Sequence, residues 1–380
     1  MDRNVVVLDI GSGKLTFAVG YKTSSGVFVI KNFADLRYSG YYGSQFVEPE
    51  RLVDDVKEVI AKSGYDGKSD TVFVGVPSDF LRVENNSTYS VFAKEKTITR
   101  QIVDNMHREG NIFNKDRRCV IINSSANDYV IDNVESTLSP IGKRATSLRA
   151  NLSYTYCLQD FVDKMDGVLG VCGFAKVNYV GGMHAIAGQL IPQSQRVNGA
   201  VLVDVGFVNA SFGYVKGEGL CYLSSIGVGG GNIADDLAYA MGVEFDDAYD
   251  FFGKINLNQD PDDDAVYTIM SGGERLVFGV RDVNEIVYNR LKTFADWIIG
   301  QLQVMDKPLS SDAPLYLTGG SLTSIRGAIG YLDKCIGRKI EVLTADVPQY
   351  NQAKYSSTIA MLDVASEIYN SQSILKKIFG

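Results

Sequence analysis

Asp9 and Asp204 are the residues of this sequence whose type and setting offer the most chemistry. Each sits near the end of an apolar run and is followed closely by glycine, in Leu8-Asp9-Ile10-Gly11-Ser12-Gly13-Lys14 and in Leu202-Val203-Asp204-Val205-Gly206. An apolar strand, a tight glycine turn and a second apolar strand make a β-hairpin whose tip can present backbone N–H groups to an anion. Glycine lets the backbone approach phosphate oxygens closely, Lys14 adds positive charge, and an aspartate at the strand end suits a hydrated divalent cation. A third glycine turn, Leu315-Tyr316-Leu317-Thr318-Gly319-Gly320-Ser321, precedes a helix and then Ile340-Glu341-Val342. A helix opened by a glycine pair is a natural cradle for an anionic ligand. Taken singly, each signal is more often plain turn chemistry.

The elements that must position these turns form a diverged repeat. Val5 to Phe17 aligns with Ala200 to Phe212, so that Asp9 matches Asp204, Gly11 matches Gly206 and Phe17 matches Phe212. Two lobes of similar design follow. Strand signals such as Thr71 to Val76 alternate with helix signals such as Arg51 to Ala61, which makes the class α/β. Tyr89 to Cys157 interrupts the first lobe with a polar helix (Ile98 to Arg108), strands at Cys119 to Ile122 and Tyr129 to Ile131, and the alternating stretch Leu148 to Tyr156. The chain is expected to return to the first lobe through the apolar run Gly167 to Ala175 and a helix near Gly182 to Leu190. A second insertion is expected after Ile226 to Asn232, with a long amphipathic helix over Val283 to Met305; Asn256 to Asp264 reads as an exposed loop.

Composition closes off several function classes. With 380 residues, 45% hydrophobic and 22% charged, the chain can build two cores. A net charge of −8 and the absence of any long Lys/Arg run argue against nucleic acid as a partner. The five cysteines are scattered, never spaced C-x-x-C, and read as reduced, buried thiols. His107 and His184, the only histidines, lie in no recognisable motif and read as structural. Met1-Asp2-Arg3-Asn4 leads straight into a strand without the apolar core of a signal peptide. No window approaches the ~20 apolar residues of a spanning helix, so the body is expected to be cytoplasmic.

The order and spacing of the three turns over nearly the whole chain resemble the actin-like nucleotide-binding superfamily. The helix start at Asn232-Ile233-Ala234-Asp235-Asp236 and the closing helix at Lys354-Tyr355-Ser356-Ser357-Thr358 are similar to it too. The place of the small insertion, with Asp128-Tyr129-Val130-Ile131-Asp132 and Pro140-Ile141-Gly142 in its body, resembles the FtsA family of bacterial cell-division proteins. The pilus-assembly PilM family shares that insertion and is the nearest alternative. The resemblance implies a two-lobed actin-like fold with ribonuclease-H-like cores, a small α+β insertion in the first lobe and a second insertion in the second. The expected divisions are 1–84, 161–192 (first-lobe core), 85–160 (insertion), 193–230 and 306–369 (second-lobe core), 231–305 (second insertion) and 370–380 (terminal helix). It also implies ATP and Mg²⁺ as ligands. The nucleotide would be held by Asp9, Gly11, Ser12, Gly13, Lys14, Asp204, Gly206, Asn209, Gly230, Gly319, Gly320 and Ser321, and the metal by Asp9 and Asp204 through water.

The end of the sequence, Ser371 to Gly380, places Ile374, Leu375, Ile378 and Phe379 on one helical face beside Lys376 and Lys377, and resembles the membrane-targeting helix of FtsA. The same residues could instead pack on the second lobe as its last turn. By resemblance the chain forms filaments, binds the anionic inner face of the membrane at midcell, recruits other division proteins, and ties the FtsZ C-terminal peptide to the membrane through the second insertion, between about Gly242 and Met305. Two features depart from the family. The second hairpin continues as Phe207-Val208-Asn209 where glycines and Thr or Ser are usual, and Tyr249 and Phe252 stand where a Glu and a Lys usually contact ribose and base. Bulky and β-branched residues at a turn obstruct close phosphate approach. Weakened ATP binding with slow or no turnover is expected; a pseudo-ATPase that keeps the fold for packing is the alternative.

Overall fold

The computed structural model describes residues 4–23, 25–112, 118–258, 262, 264–305 and 312–379, with residues 370–379 as backbone only. Val5–Ile10 is apolar except at Asp9, as a central strand covered on both faces must be. It runs antiparallel to Lys14–Lys22, which pairs in turn with Phe28–Arg37. On its other side Thr71–Val76 and then Lys176–Gly181 add in parallel. The second sheet repeats this order with Gly219–Ile226, Ala210–Lys216, Ala200–Val205, Leu315–Thr318 and Ile340–Val342.

The repeat seen in the sequence is a repeat in register. Asp9 lies opposite Thr16 and Asp204 opposite Ser211; Phe17 faces Leu8 and Phe212 faces Val203. Each tip is closed by the same bond, Gly11 N–H to the Lys14 carbonyl and Gly206 N–H to the Asn209 carbonyl, both 2.9 Å. Phe17 and Phe212 are fully buried, so each hairpin is anchored in its own core.

Helices Gly182–Leu190 and Ser356–Phe379 lie between the two sheets. Met183, Ile186, Ile359 and Leu362 join one core cluster with Val5 and Val7 of the first sheet and Leu202 and Tyr316 of the second. The outer face of the first sheet is covered by Leu52–Ser63 and Gln159–Val171, through Leu52, Val56, Phe161 and Met165. The outer face of the second is covered by Gly230–Met241, Val280–Val304 and Ala328–Ile336. Both central strands are thus sandwiched, and only their hairpin ends reach a cleft.

Three local readings change in the structure. Cys119–Ile131 is one strand rather than two, because bulges against Arg144–Leu158 carry the pairing through the polar stretch between them and break the alternation that would have shown it. Gly167 to Ala175 is the end of the helix Gln159–Val171 and a turn, its glycines on the exposed side of a helix that buries Phe161, Met165 and Leu169; the returning strand is Lys176–Gly181. Leu81–Thr97, the long first strand of the inserted four-stranded sheet, is too polar on its open face to read as a strand. That sheet also touches the second lobe, where Glu218 N–H donates to the Ala126 carbonyl (2.9 Å) and Asn85 Nδ2 to the Cys221 carbonyl (2.7 Å).

His184 lies at this junction, on Gly182–Leu190 with its Nε2 3.2 Å from Asn123 Nδ2 of the inserted sheet. Burial holds its pKa down to about 4. The folded state therefore resists a proton that the unfolded chain takes up below about pH 6.5, and stability is lost as pH falls from 6.5 toward 4. Between pH 7 and pH 5 this one group should remove about 2 kcal/mol. Urea unfolding of the His184→Gln variant should show that much less acid sensitivity; an unchanged slope would place the ring in water.

Candidate functional site

The two hairpin tips and the Gly319 turn meet in a cavity of about 490 Å³ between the lobes, a size common among small-ligand pockets. Asp9, Gly11, Ser12, Gly13, Lys14, Asp204, Gly206, Asn209, Gly319, Gly320 and Ser321 all line it. Gly230 lies one layer behind. Its N–H donates to the Gly206 carbonyl (3.0 Å), and a Cβ there would stand 2.3 Å from the Ser321 side chain, so it serves the packing of the second hairpin on the Gly319 turn. Ser321 Oγ donates to the same Gly206 carbonyl at 2.8 Å. These contacts lock the second and third segments into one wall.

The first hairpin carries most of the donors. Among the described residues, the N–H groups of Ser12 and Gly13 take no protein acceptor, which leaves them available to an anion. The Lys14 ammonium lies 3.4 Å from Asp35 and 4.9 Å from the centre of the Tyr355 ring. Asp35 also accepts from Thr16 Oγ1 (3.0 Å) and Tyr355 OH (3.3 Å). Burial lowers the Lys14 pKa, opposed by Asp35 and then Asp9.

The two aspartates differ in how they are held. Asp9 accepts from Thr358 Oγ1 (2.7 Å) and Ser357 Oγ (3.2 Å) at the start of the closing helix, yet burial still raises its pKa. Asp204 accepts no hydrogen bond on its carboxylate among the described residues. Its side chain keeps some surface on the cleft, but the surrounding protein and then the Asp9 charge push its pKa up to about 7. Two facing carboxylates, one without a partner, ask for a cation. Among the described residues no group of three or more His, Cys, Asp or Glu forms a metal cage. The pair therefore suits a hydrated Mg²⁺ that takes its remaining ligands from water and phosphate, as expected for a Mg-nucleotide.

At the mouth, Phe245, Asp246 and Tyr249 line the cavity while Phe252, 4% exposed, belongs to the second core. Tyr249 stands edge-on to Phe207 at 5.2 Å and under the Arg37 guanidinium at 4.8 Å. Arg37 pairs across the cleft with Asp246 (3.3 Å) and Asp250 (3.7 Å). Asp35, Arg37, Tyr38, Tyr41, Lys354 and Ser357 also line it. Lys354 and Ser357 belong to the closing-helix segment that resembles the superfamily; the other four carry no motif. They meet the hairpins through tertiary contacts: the strand that puts Asp35 opposite Thr16, Tyr38 OH donating to the Gly11 carbonyl (2.8 Å), Asn209 Nδ2 donating to Tyr41 OH (3.2 Å), and the closing helix that brings Ser357 to Asp9.

None of the five cysteines forms a disulfide and, against the expectation of buried thiols, Cys157 alone is buried, the other four being partly exposed. No helix among the described residues is long and apolar enough to cross a membrane. The closing helix runs to Phe379; the side chains of the membrane-binding candidates Ile374, Leu375, Lys376, Lys377, Ile378 and Phe379 lie outside the described residues.

No family model matches the sequence. It is 22% identical over 243 residues to the cell division protein FtsA of Pseudomonas aeruginosa, a match spanning 63% of this chain and 58% of that protein's length. It is 21% identical over 368 residues to the cell division protein FtsA of Staphylococcus epidermidis, covering 94% of this chain and 78% of that protein. Among solved structures, a chain of the PilM-PilN type IV pilus biogenesis complex superposes with a TM-score of 0.64 at 12% identity, over 95% of this chain and 98% of that one. MreB5 of Spiroplasma citri bound to AMPPNP gives 0.59 at 10% identity, over 98% and 99%. Sheet order, hairpin register and these likenesses agree: the chain has the two-lobed actin-like fold and is FtsA-like, divergent from the FtsA proteins it matches.

Proposed function

We propose that this chain is a nucleotide-binding, self-assembling adaptor of the FtsA kind, which holds Mg-ATP or its product as a structural ligand and links FtsZ filaments to the inner membrane surface. The observation that carries the nucleotide part is the cleft itself, where the unpartnered Asp204 carboxylate faces Asp9 beneath the free N–H groups of Ser12 and Gly13. Lys14 and the Gly319–Gly320 turn would hold phosphates, and Asp9 and Asp204 would hold the cation through water. Bound Mg²⁺ would neutralise phosphate charge; the chain's own residues bind and orient. The adaptor part draws on the likeness to FtsA along 94% of the chain in one relative and on the terminal sequence Ile374 to Phe379.

Magnitudes make assembly part of this function. Burying one large apolar side chain is worth about 1.5–3 kcal/mol, of which an interfacial helix realises a fraction. Each lysine near an anionic leaflet adds about 1 kcal/mol. One tail binds weakly, whereas a filament presenting many tails binds by avidity. In sedimentation with anionic liposomes, the full chain should pellet with lipid under assembling conditions, and deletion of 374–380 should return it to the lipid-free background. Equal pelleting of the two would remove the membrane role. Titration of a labelled FtsZ C-terminal peptide tests the other end; no binding at high micromolar peptide would favour the pilus-scaffold reading, to which the TM-score of 0.64 with the PilM–PilN complex lends weight.

A further inference from the structure

The nucleotide site just described differs from its own internal repeat at one place, the tip of the second hairpin. In the shared register Ser12, Gly13 and Lys14 of the first tip correspond to Phe207, Val208 and Asn209 of the second. The two tips touch. Val208 N–H donates to Ser12 Oγ at 3.0 Å, so the amide that would otherwise reach for a phosphate is taken up and the Ser12 side chain is tied to the opposite tip. The Phe207 ring lies over Gly13, where a Cβ would come within 2.5 Å of its Cδ1. Asn209 is turned away, its amide donating to Tyr41 OH (3.2 Å) and to the Asp79 carboxylate. Behind the ring, Phe245 and Tyr249 close an aromatic cluster, and Gly231 N–H donates to the Phe207 carbonyl at 2.7 Å, so the tip is held from both sides.

The tips are therefore bridged by the Ser12–Val208 bond and the Phe207 ring, and the cavity they border opens from there toward Lys14, Gly319, Gly320 and Lys354. A phosphate chain entering along the Gly319 turn would meet the bridged tips only at its far end, so a third phosphate would reach them where a second need not. Resting on the nucleotide reading above, we infer that this cleft selects a nucleoside diphosphate over a triphosphate, and that Phe207 together with the Ser12–Val208 bond is the selecting device. A triphosphate would have to break the Ser12–Val208 bond and displace an aromatic ring from its cluster before its terminal phosphate met a donor. The protein would then hold the product state of an ATPase without passing through hydrolysis.

Calorimetry of the full chain with Mg-ADP and Mg-ATP tests this. The diphosphate is expected to bind about tenfold tighter or better. In the Phe207→Gly/Val208→Gly double variant, which restores glycine at the tip, the ratio of ATP to ADP affinity should rise by about tenfold. Phe207→Ala, which alters the backbone less, should move the ratio the same way by a smaller factor, with thermal melting confirming that each variant is folded. ATP binding as tightly as ADP to the unaltered protein, or a ratio unmoved in both folded variants, would overturn the selecting role while leaving the nucleotide site standing. Absence of heat with either nucleotide at millimolar concentration would remove the nucleotide site itself, and this inference with it.

Discussion

Asp204→Asn is expected to make the protein more stable and its cleft a poorer Mg-nucleotide site. The carboxylate is held at a pKa of about 7 by burial and by the neighbouring Asp9, against 3.8 for an ordinary aspartate. Between those values the folded state keeps a proton that the unfolded chain has released, so stability falls as pH rises from about 4 to about 7. At pH 8 the ionised group then opposes folding by roughly 2–4 kcal/mol, the lower figure applying where cleft water solvates it. Asparagine keeps the shape and removes the charge. Denaturant unfolding should show the gain at pH 8 and its disappearance near pH 4, while calorimetry shows Mg-nucleotide affinity reduced by about tenfold or more. A variant less stable than the parent at pH 8 would mean that Asp204 has a stabilising partner after all.

Such a residue shows why part of this site was legible and part was not. Asp9, Asp204 and the glycines around them stand at the ends of strands buried on both faces, where apolar runs expose any polar interruption. The repeat adds a second signal, because Asp9–Phe17 and Asp204–Phe212 share one hairpin register. Tertiary partners leave a weaker trace, a helix start that resembles the superfamily at Lys354 to Thr358 and none at Asp35. Asp35 belongs to a strand of mixed polarity and enters the site through its pairing with Thr16, Lys14 and Tyr355. Ser357 and Thr358 reach Asp9 from the far end of the chain. The resemblance places Gly230 among the nucleotide ligands, yet it packs against Ser321. Phe252 follows Tyr249 by three residues, beyond the end of the helix Phe245–Asp250, and is carried into the core. The inserted sheet was harder for another reason: its longest strand has an open polar face, and its bulges spoil the two-residue period on which strand recognition depends.

The third turn allows the sharpest test of whether glycine here is structural permission or mere habit. Gly319 follows the strand Leu315–Thr318 with φ at +94°, and a Cβ on it would lie 2.2 Å from the Val205 carbonyl oxygen and 2.6 Å from Asp204 Oδ1. Both atoms belong to the central strand of the second lobe, covered on both sides, and cannot retreat without dragging the Asp204 hairpin with them. Positive φ alone costs an L-residue about 1–2 kcal/mol, and the overlap adds backbone displacement. Gly319→Ala is therefore expected to lose about 3 kcal/mol or more and, by pushing Asp204 out of line with Asp9, to abolish measurable nucleotide binding. Gly330 supplies the opposite case eleven residues later, exposed within the helix Ala328–Ile336 and with nothing near the position of an added Cβ. There alanine should stabilise by about 0.5–1 kcal/mol, since a helix interior favours it over glycine. Urea midpoints moving in opposite directions for the two substitutions would tie the Gly319 turn to the Asp204 strand as one rigid unit. A tolerated Gly319→Ala would instead show that the turn can move away from that strand, and the cleft with it.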